Sequence, residues 1–88
     1  MEFIHAREYL KAGDIVVVEC ERQCNVCIMT DSEFENYRAA RSFRHLGGFF
    51  TEFPVHVIIP DPAYWNVTLD LAGGPVDIRH SISYVKQP

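Results

Sequence analysis

Three cysteines stand close together in the chain, Cys20, Cys24 and Cys27, in a C-x3-C-x2-C spacing. Thiolates at such intervals ligate structural zinc, and His5 or His56 would complete a four-donor set. Zinc knuckles usually offer two separate pairs, and only one C-x2-C pair exists here. Three reduced thiols, some buried as small hydrophobes, are therefore the plainer expectation. A thioredoxin-like role for Cys24 and Cys27 would need a helix start beside a βαβ unit. The cysteines fall instead in or beside strand-like segments.

Nucleophilic catalysis finds no frame. His80 and Ser81 are adjacent, so a strand would send them to opposite faces, and no G-x-S-x-G elbow is present. Gly47-Gly48 and Gly73-Gly74 lack the lysine pattern of a phosphate loop and the spacing of a dinucleotide fingerprint. No catalytic constellation and no cofactor are implied, and the chain is expected not to be an enzyme.

Two polar groupings are candidates for binding. Asn66, Thr68 and Asp70 alternate along one face of an extended segment, with Tyr64 at the rim. If the last two strands pair as a hairpin, Arg79, Ser81 and Ser83 lie beside them. That patch would hydrogen-bond a small polar ligand or a partner loop, although the wet face of any antiparallel sheet has the same pattern. The second grouping is Arg38, Arg41, Arg44 and His45, following Asp31, Glu33 and Glu35. Acid first and base last complements a helix dipole. The sharper alternative is a site for an anion or an acidic partner, which planar guanidinium groups suit.

The elements that would position these residues are short. Residues 64–70 read Tyr-Trp-Asn-Val-Thr-Leu-Asp, and the period of two puts Trp65, Val67, Leu69 and Leu71 on one apolar face. That assigns the only tryptophan to the core rather than to a ligand-stacking platform. Residues 3–8 suit a first strand, while 6–10 equally suit a helical turn. Lys11 to Asp14 is a turn. Four consecutive branched residues at 15–18 suggest a strand covered on both faces, and 25–30 forms the returning strand. Ser32 followed by Glu35 has the pattern of a capping box opening a helix over about residues 32–46, with Gly47-Gly48 as its left-handed stop. Short strands at 48–53 and 55–59 are bounded by Pro54 and Pro60. The final hairpin is expected to use a four-residue loop, 73–76, because a two-residue turn would oppose Asp70 to Asp77. The longer loop pairs Asp70 with Arg79 and Leu69 with His80. About six or seven short strands and one helix point to a mainly β fold, a small antiparallel β-sandwich or half-open barrel.

Composition bounds the rest. Eighty-eight residues accommodate one domain, 1–88, and 48% hydrophobic residues supply one core. Twelve acidic against eight basic residues give a net charge of −4, which disfavours nucleic acid and gives no attraction to an anionic membrane. No apolar run is long enough to span a bilayer, the first residues lack the block of a secretory signal, and the cysteine count is odd. Cytoplasmic residence is the expectation.

Taken together, residues 3–10 (FIHAREYL), 13–18 (GDIVVV), 23–26 (QCNV), Gly47-Gly48, 64–68 (YWNVT) and 79–82 (RHSI) resemble a small bacterial family catalogued as a domain of unknown function. The resemblance covers the whole chain. It implies a compact β-sandwich that occurs alone or joined to TIR domains, and hence a link to signalling or defence. It carries no catalytic or ligand-binding residue over to this chain. The expected role is a non-enzymatic binding or protein-interaction module, with a protein partner or a second copy covering exposed sheet edges. The alternative is a small metal-dependent or ligand-sensing domain. It would use the three cysteines with a histidine, or the polar face of the last hairpin.

Overall fold

The computed structural model describes residues 3–71 and 78–88. In chain order these form β1 (Ile4–Leu10), β2 (Ile15–Cys20), β3 (Cys24–Thr30), α1 (Asp31–Arg38), β4 (Leu46–Phe50), β5 (Val55–Ile58), β6 (Ala63–Asp70) and β7 (His80–Val85). Two antiparallel sheets result, one of four strands in the order β1-β6-β3-β4 and one of three in the order β5-β2-β7. The fold is the expected mainly β sandwich with one short helix, and the described residues do not close into a barrel.

Alternation builds the core. Val26 and Ile28 from β3, and Trp65, Val67 and Leu69 from β6, point inward from the four-stranded sheet. Val16, Val18 and Val55 meet them from the three-stranded one. Each such side chain contributes about 1.5–3 kcal/mol by leaving water. Trp65 is only 6% exposed, and its indole N–H donates to the Asp61 carbonyl at 3.0 Å, so its single polar atom is satisfied inside. Asp14 closes one end of the sandwich. Its buried carboxylate accepts the Lys11 and Gln87 backbone N–H groups, each at 2.8 Å. Those two bonds, Gln87's first, lower its pKa and tie the C-terminal segment to the β1–β2 turn.

Several expectations are corrected. The last two strands are not a hairpin: β6 lies between β1 and β3, whereas β7 pairs with β2 in the other sheet. Asp70 therefore faces Asn25, Leu69 faces Val26 and Ile4, and His80 faces Cys20. Burial favours this arrangement because Trp65, Val67 and Leu69 fill the centre of the larger sheet. The proposed loop 73–76 lies outside the described residues. β2 and β3 likewise enter different sheets.

The helix is Asp31–Arg38, shorter than residues 32–46. It starts directly from the end of β3, with Thr30 at the N-cap and no side-chain cap, so the Ser32–Glu35 capping box does not form. It stops at Ala40, whose φ is 58°, with Ala40 N–H donating to Tyr37 O at 3.2 Å and Arg41 N–H to Asn36 O at 2.9 Å. That is a Schellman closure built on alanine instead of glycine.

Gly47 serves β4 instead. At φ 96° a Cβ there would lie 2.2 Å from the Val26 carbonyl oxygen, so only glycine lets β4 approach β3. Finally, β2 is covered on its inner face alone. Val16 and Val18 are buried, while Ile15 and Val17 stay half-exposed on the other side.

Candidate functional site

The densest polar arrangement lies on the outer face of the four-stranded sheet, where α1 lies across β3 and β6 beside the edge strand β1. Because Ile4, Ala6 and Leu10 turn inward, His5, Arg7 and Tyr9 turn outward. The same alternation turns Tyr64, Asn66 and Thr68 outward from β6. Register then sets Arg7 opposite Asn66, Tyr9 opposite Tyr64 and His5 opposite Thr68. Asp31, the first residue of α1, hangs over this row.

A continuous chain of hydrogen bonds follows. The Arg7 guanidinium grips both Asp31 carboxylate oxygens, with Nε donating at 3.0 Å and Nη2 at 2.7 Å. Asn66 Nδ2 donates to Asp31 Oδ1 at 2.8 Å and to the Met29 carbonyl at 3.4 Å. Both partners only accept, so the amide orientation is determined and Asn66 Oδ1 faces His5. His5 Nε2–H therefore donates to it at 2.8 Å. The imidazole also stacks on Phe34, with centroids 4.3 Å apart and planes 12° apart. Asn66 is only 1% exposed, whereas His5, Arg7 and Asp31 reach solvent. An open cleft of about 270 Å³ runs between His5, Arg7, Asp31, Phe34, Glu35 and Asn66.

Electrostatics lock the centre. Arg7, then Asn66, hold the Asp31 carboxyl down at about 2, from an ordinary 3.8. Asp31 in turn raises the pKa of Arg7. A carboxylate so well satisfied is a weak base, and its chemical use is recognition and positioning. Beside it, Arg7 Cζ sits 4.0 Å above the Tyr64 ring, and Tyr64 meets Tyr9 edge to face at 5.3 Å. Tyr64 is 48% exposed and Tyr9 47% exposed. The result is an arginine–tyrosine–tyrosine ladder along an edge strand.

The residues singled out from the sequence are dispersed over the molecule. Asn66 is at the centre of the site, but it is buried beneath α1 and not on a wet face. Thr68 is buried next to it and donates to the Cys27 carbonyl at 3.5 Å. Asp70 ends β6 opposite Asn25. Arg79 is not across a hairpin from it. Arg79 lies before β7, its backbone N–H donating to Glu21 Oε1 at 2.8 Å.

Arg38 pairs with Glu35 at 3.3 Å, and Arg41 Nε donates to Asn36 Oδ1 at 3.1 Å, so each arginine is engaged within its own helix end. Cys24 points into the core with half-buried Cys20 beside it, while Cys27 points the other way, toward α1. His5 is on the outer face of one sheet and His56 on the outer face of the other. Among the described residues, no group of three or more His, Cys, Asp or Glu is gathered to hold a metal ion.

Arg7, Tyr9, Asp31 and Phe34 belong to the site and were not legible as such. The outward set His5, Arg7, Tyr9 was the available signal. Reading residues 6–10 as either strand or helical turn obscured it.

No curated protein and no solved structure matches this chain. The family described as a domain of unknown function, DUF1883, matches residues 1–88, in agreement with the resemblance in its motifs, and the chain belongs to that family.

Proposed function

We propose that this domain is a non-enzymatic protein-interaction module whose partner docks along β1 on the outer face of the four-stranded sheet. The observation that carries the reading is the half-exposed ladder in which Arg7 and Tyr9 of the edge strand β1 flank Tyr64 of the neighbouring β6. Tyrosine and arginine dominate binding hot spots because they offer large, stiff contact areas with a polar tip. The neighbouring chain from His5 to Asp31 keeps the ladder in one geometry, so little ordering is lost on binding. A free strand edge adds backbone donors and acceptors for a partner strand, including one from a second copy. The net charge of −4 supports a protein partner over a nucleic acid or an anionic membrane. No helix of the described residues is long and apolar enough to cross a membrane. Cytoplasmic residence and the signalling or defence setting implied by the resemblance belong to this reading.

A photo-reactive phenylalanine analogue at position 9, and separately at position 56 on the opposite outer face, tests it in the native host. The expected result is a discrete adduct from position 9 and none from position 56. Tyr64→Ala should weaken the adduct about 30-fold, as truncating a hot-spot residue does. Light scattering of the purified chain separates a second copy from a foreign partner. An adduct indifferent to Tyr64→Ala, or none from position 9 together with a monomer at high concentration, would overturn the reading.

A further inference from the structure

The far end of the sandwich holds chemistry that the β1 face does not use. β2 ends at Cys20 and β3 begins at Cys24, so residues 21–23 carry the chain from one sheet to the other. Even-numbered residues of both strands point inward, which brings the two thiols to the same end of the core. Cys24 is 1% exposed and belongs to the inner cluster, and half-buried Cys20 packs against that cluster. The Cys20 side chain lies within hydrogen-bonding reach of the Cys24 thiol. Cys20 also lines an open cleft of about 450 Å³ with Arg79, His80 and Ser81 among its walls. The buried thiol thus has an accessible neighbour.

Register adds a base. Cys20 is directly opposite His80 in the β2–β7 pair, a position in which side chains on one face are about 5 Å apart. His80 Nδ1–H donates to the Ile78 carbonyl at 2.9 Å, which leaves Nε2 of the neutral ring as the proton acceptor.

We propose that Cys20 and Cys24 form a reversible oxidation site, in which a hydroperoxide entering the cleft is reduced at Cys20 and Cys24 then closes a disulfide. Cys20 gives its proton to His80 or water, and the thiolate attacks a peroxide oxygen. The O–O bond breaks, the departing hydroxide is protonated to water, and Cys20 becomes a sulfenic acid. The Cys24 sulfur then attacks the Cys20 sulfur. The S–O bond breaks, and the leaving hydroxide takes the Cys24 proton as a second water. Two thiols and one hydrogen peroxide yield one disulfide and two waters; the sulfurs lose the two electrons that the peroxide gains.

The roles are not interchangeable. Burial first, then the charge and hydrogen bond of Cys20, push the Cys24 thiol up to about 12, which makes it a poor first nucleophile. The share due to a Cys20 thiolate disappears once Cys20 is a sulfenic acid. Cys27 is an internal control. It lies on the opposite face of the same strand, its thiol raised chiefly by burial, against the cluster under α1.

The experiment needs no substitution at first. Reduced, folded protein is treated with hydrogen peroxide, alkylated, cut with trypsin and mapped by mass spectrometry. Cleavage after Arg22 separates Cys20 from Cys24, so a disulfide rejoins two peptides, and fragmentation distinguishes Cys24 from Cys27. The expected product joins Cys20 to Cys24, leaves Cys27 alkylated, and reverts with dithiothreitol. Cys20 should be lost at least about tenfold faster than Cys27. In folded Cys24→Ser protein, dimedone should trap a sulfenic acid at Cys20. The inference is overturned by faster oxidation of Cys27, by a bond between chains, by oxidised Cys20 that never closes on Cys24, or by unchanged thiols under peroxide that oxidises free cysteine.

Discussion

The outer faces of the two sheets are built from similar strands and treated oppositely. On the four-stranded sheet, α1 lies across β3 and β6, and Phe34 and Tyr37 pack with Met29, Phe3 and Phe43. Under that cover Asn66 and Thr68 are each 1% exposed, and the exposed polar groups at its margin are engaged with one another. On the three-stranded sheet the row Ile15–Ile58–Val85 faces outward, and Ile58 remains 68% exposed and Val85 51%. The difference shows where order has been bought with buried polar bonds. A covered face containing an amide must satisfy every donor and acceptor, whereas an open face of aliphatic side chains demands nothing specific.

That contrast predicts a ranking of effects. Phe34→Ala removes the ring that stacks on His5 and meets Phe3 edge to face, so it should cost about 3 kcal/mol in urea unfolding. A loss below about 1 kcal/mol would mean that the helix is not a structural cover. Asn66→Ala should follow at about 2 kcal/mol, because the Met29 carbonyl and His5 lose their shared partner under the helix. Proton NMR of the His5 ring would report the broken bond directly, and an unchanged His5 environment would refute the hydrogen-bond chain.

Acid gives the next effect. Asp31 has a folded pKa of about 2 against 3.8, so its stabilisation is complete above about pH 4 and is lost as pH falls through about 2. Asp14, also lowered, acts in the same direction. Thermal melts between about pH 4 and pH 2 should therefore decline less steeply in Asp31→Asn than in the unmodified chain, with the Asp14 part retained. Identical slopes would remove Asp31 from the account. The smallest effect is expected on the open face, where Ile58→Thr should change stability by no more than about 0.5 kcal/mol. A larger loss, or one that depends on protein concentration, would show that this row is covered in solution and would erase the contrast.

The legible part of the chain follows from period. Alternation in residues 64–70 placed Trp65, Val67 and Leu69 in the core, and Lys11 to Asp14 made its turn. Period cannot name the neighbouring strand. β6 and β7 are consecutive, and adjacency with Gly73-Gly74 suggested a hairpin, but burial on both faces of β6 sent it to the middle of the other sheet. The helix end was hidden for a related reason. Ala40 has no intrinsic preference for positive φ, and only the closure onto Asn36 and Tyr37 holds it there.

The site divides along the same line. His5, Arg7 and Tyr9 were bound to share one face of β1, and Asn66 and Thr68 one face of β6, because side chains alternate with period two in any strand. The sequence by itself therefore determined the inward and outward sets of β6, the β-rich class and the family. The sets of β1 and β2 followed only from the strands they form and the one face each buries. Tertiary structure decided that Arg7 meets Asp31, that Asn66 bridges them to His5, and that Cys20 lies beside Cys24. These contacts depend on which strands pair, in which register and in which sheet, and that choice is made by burying the whole apolar set at once.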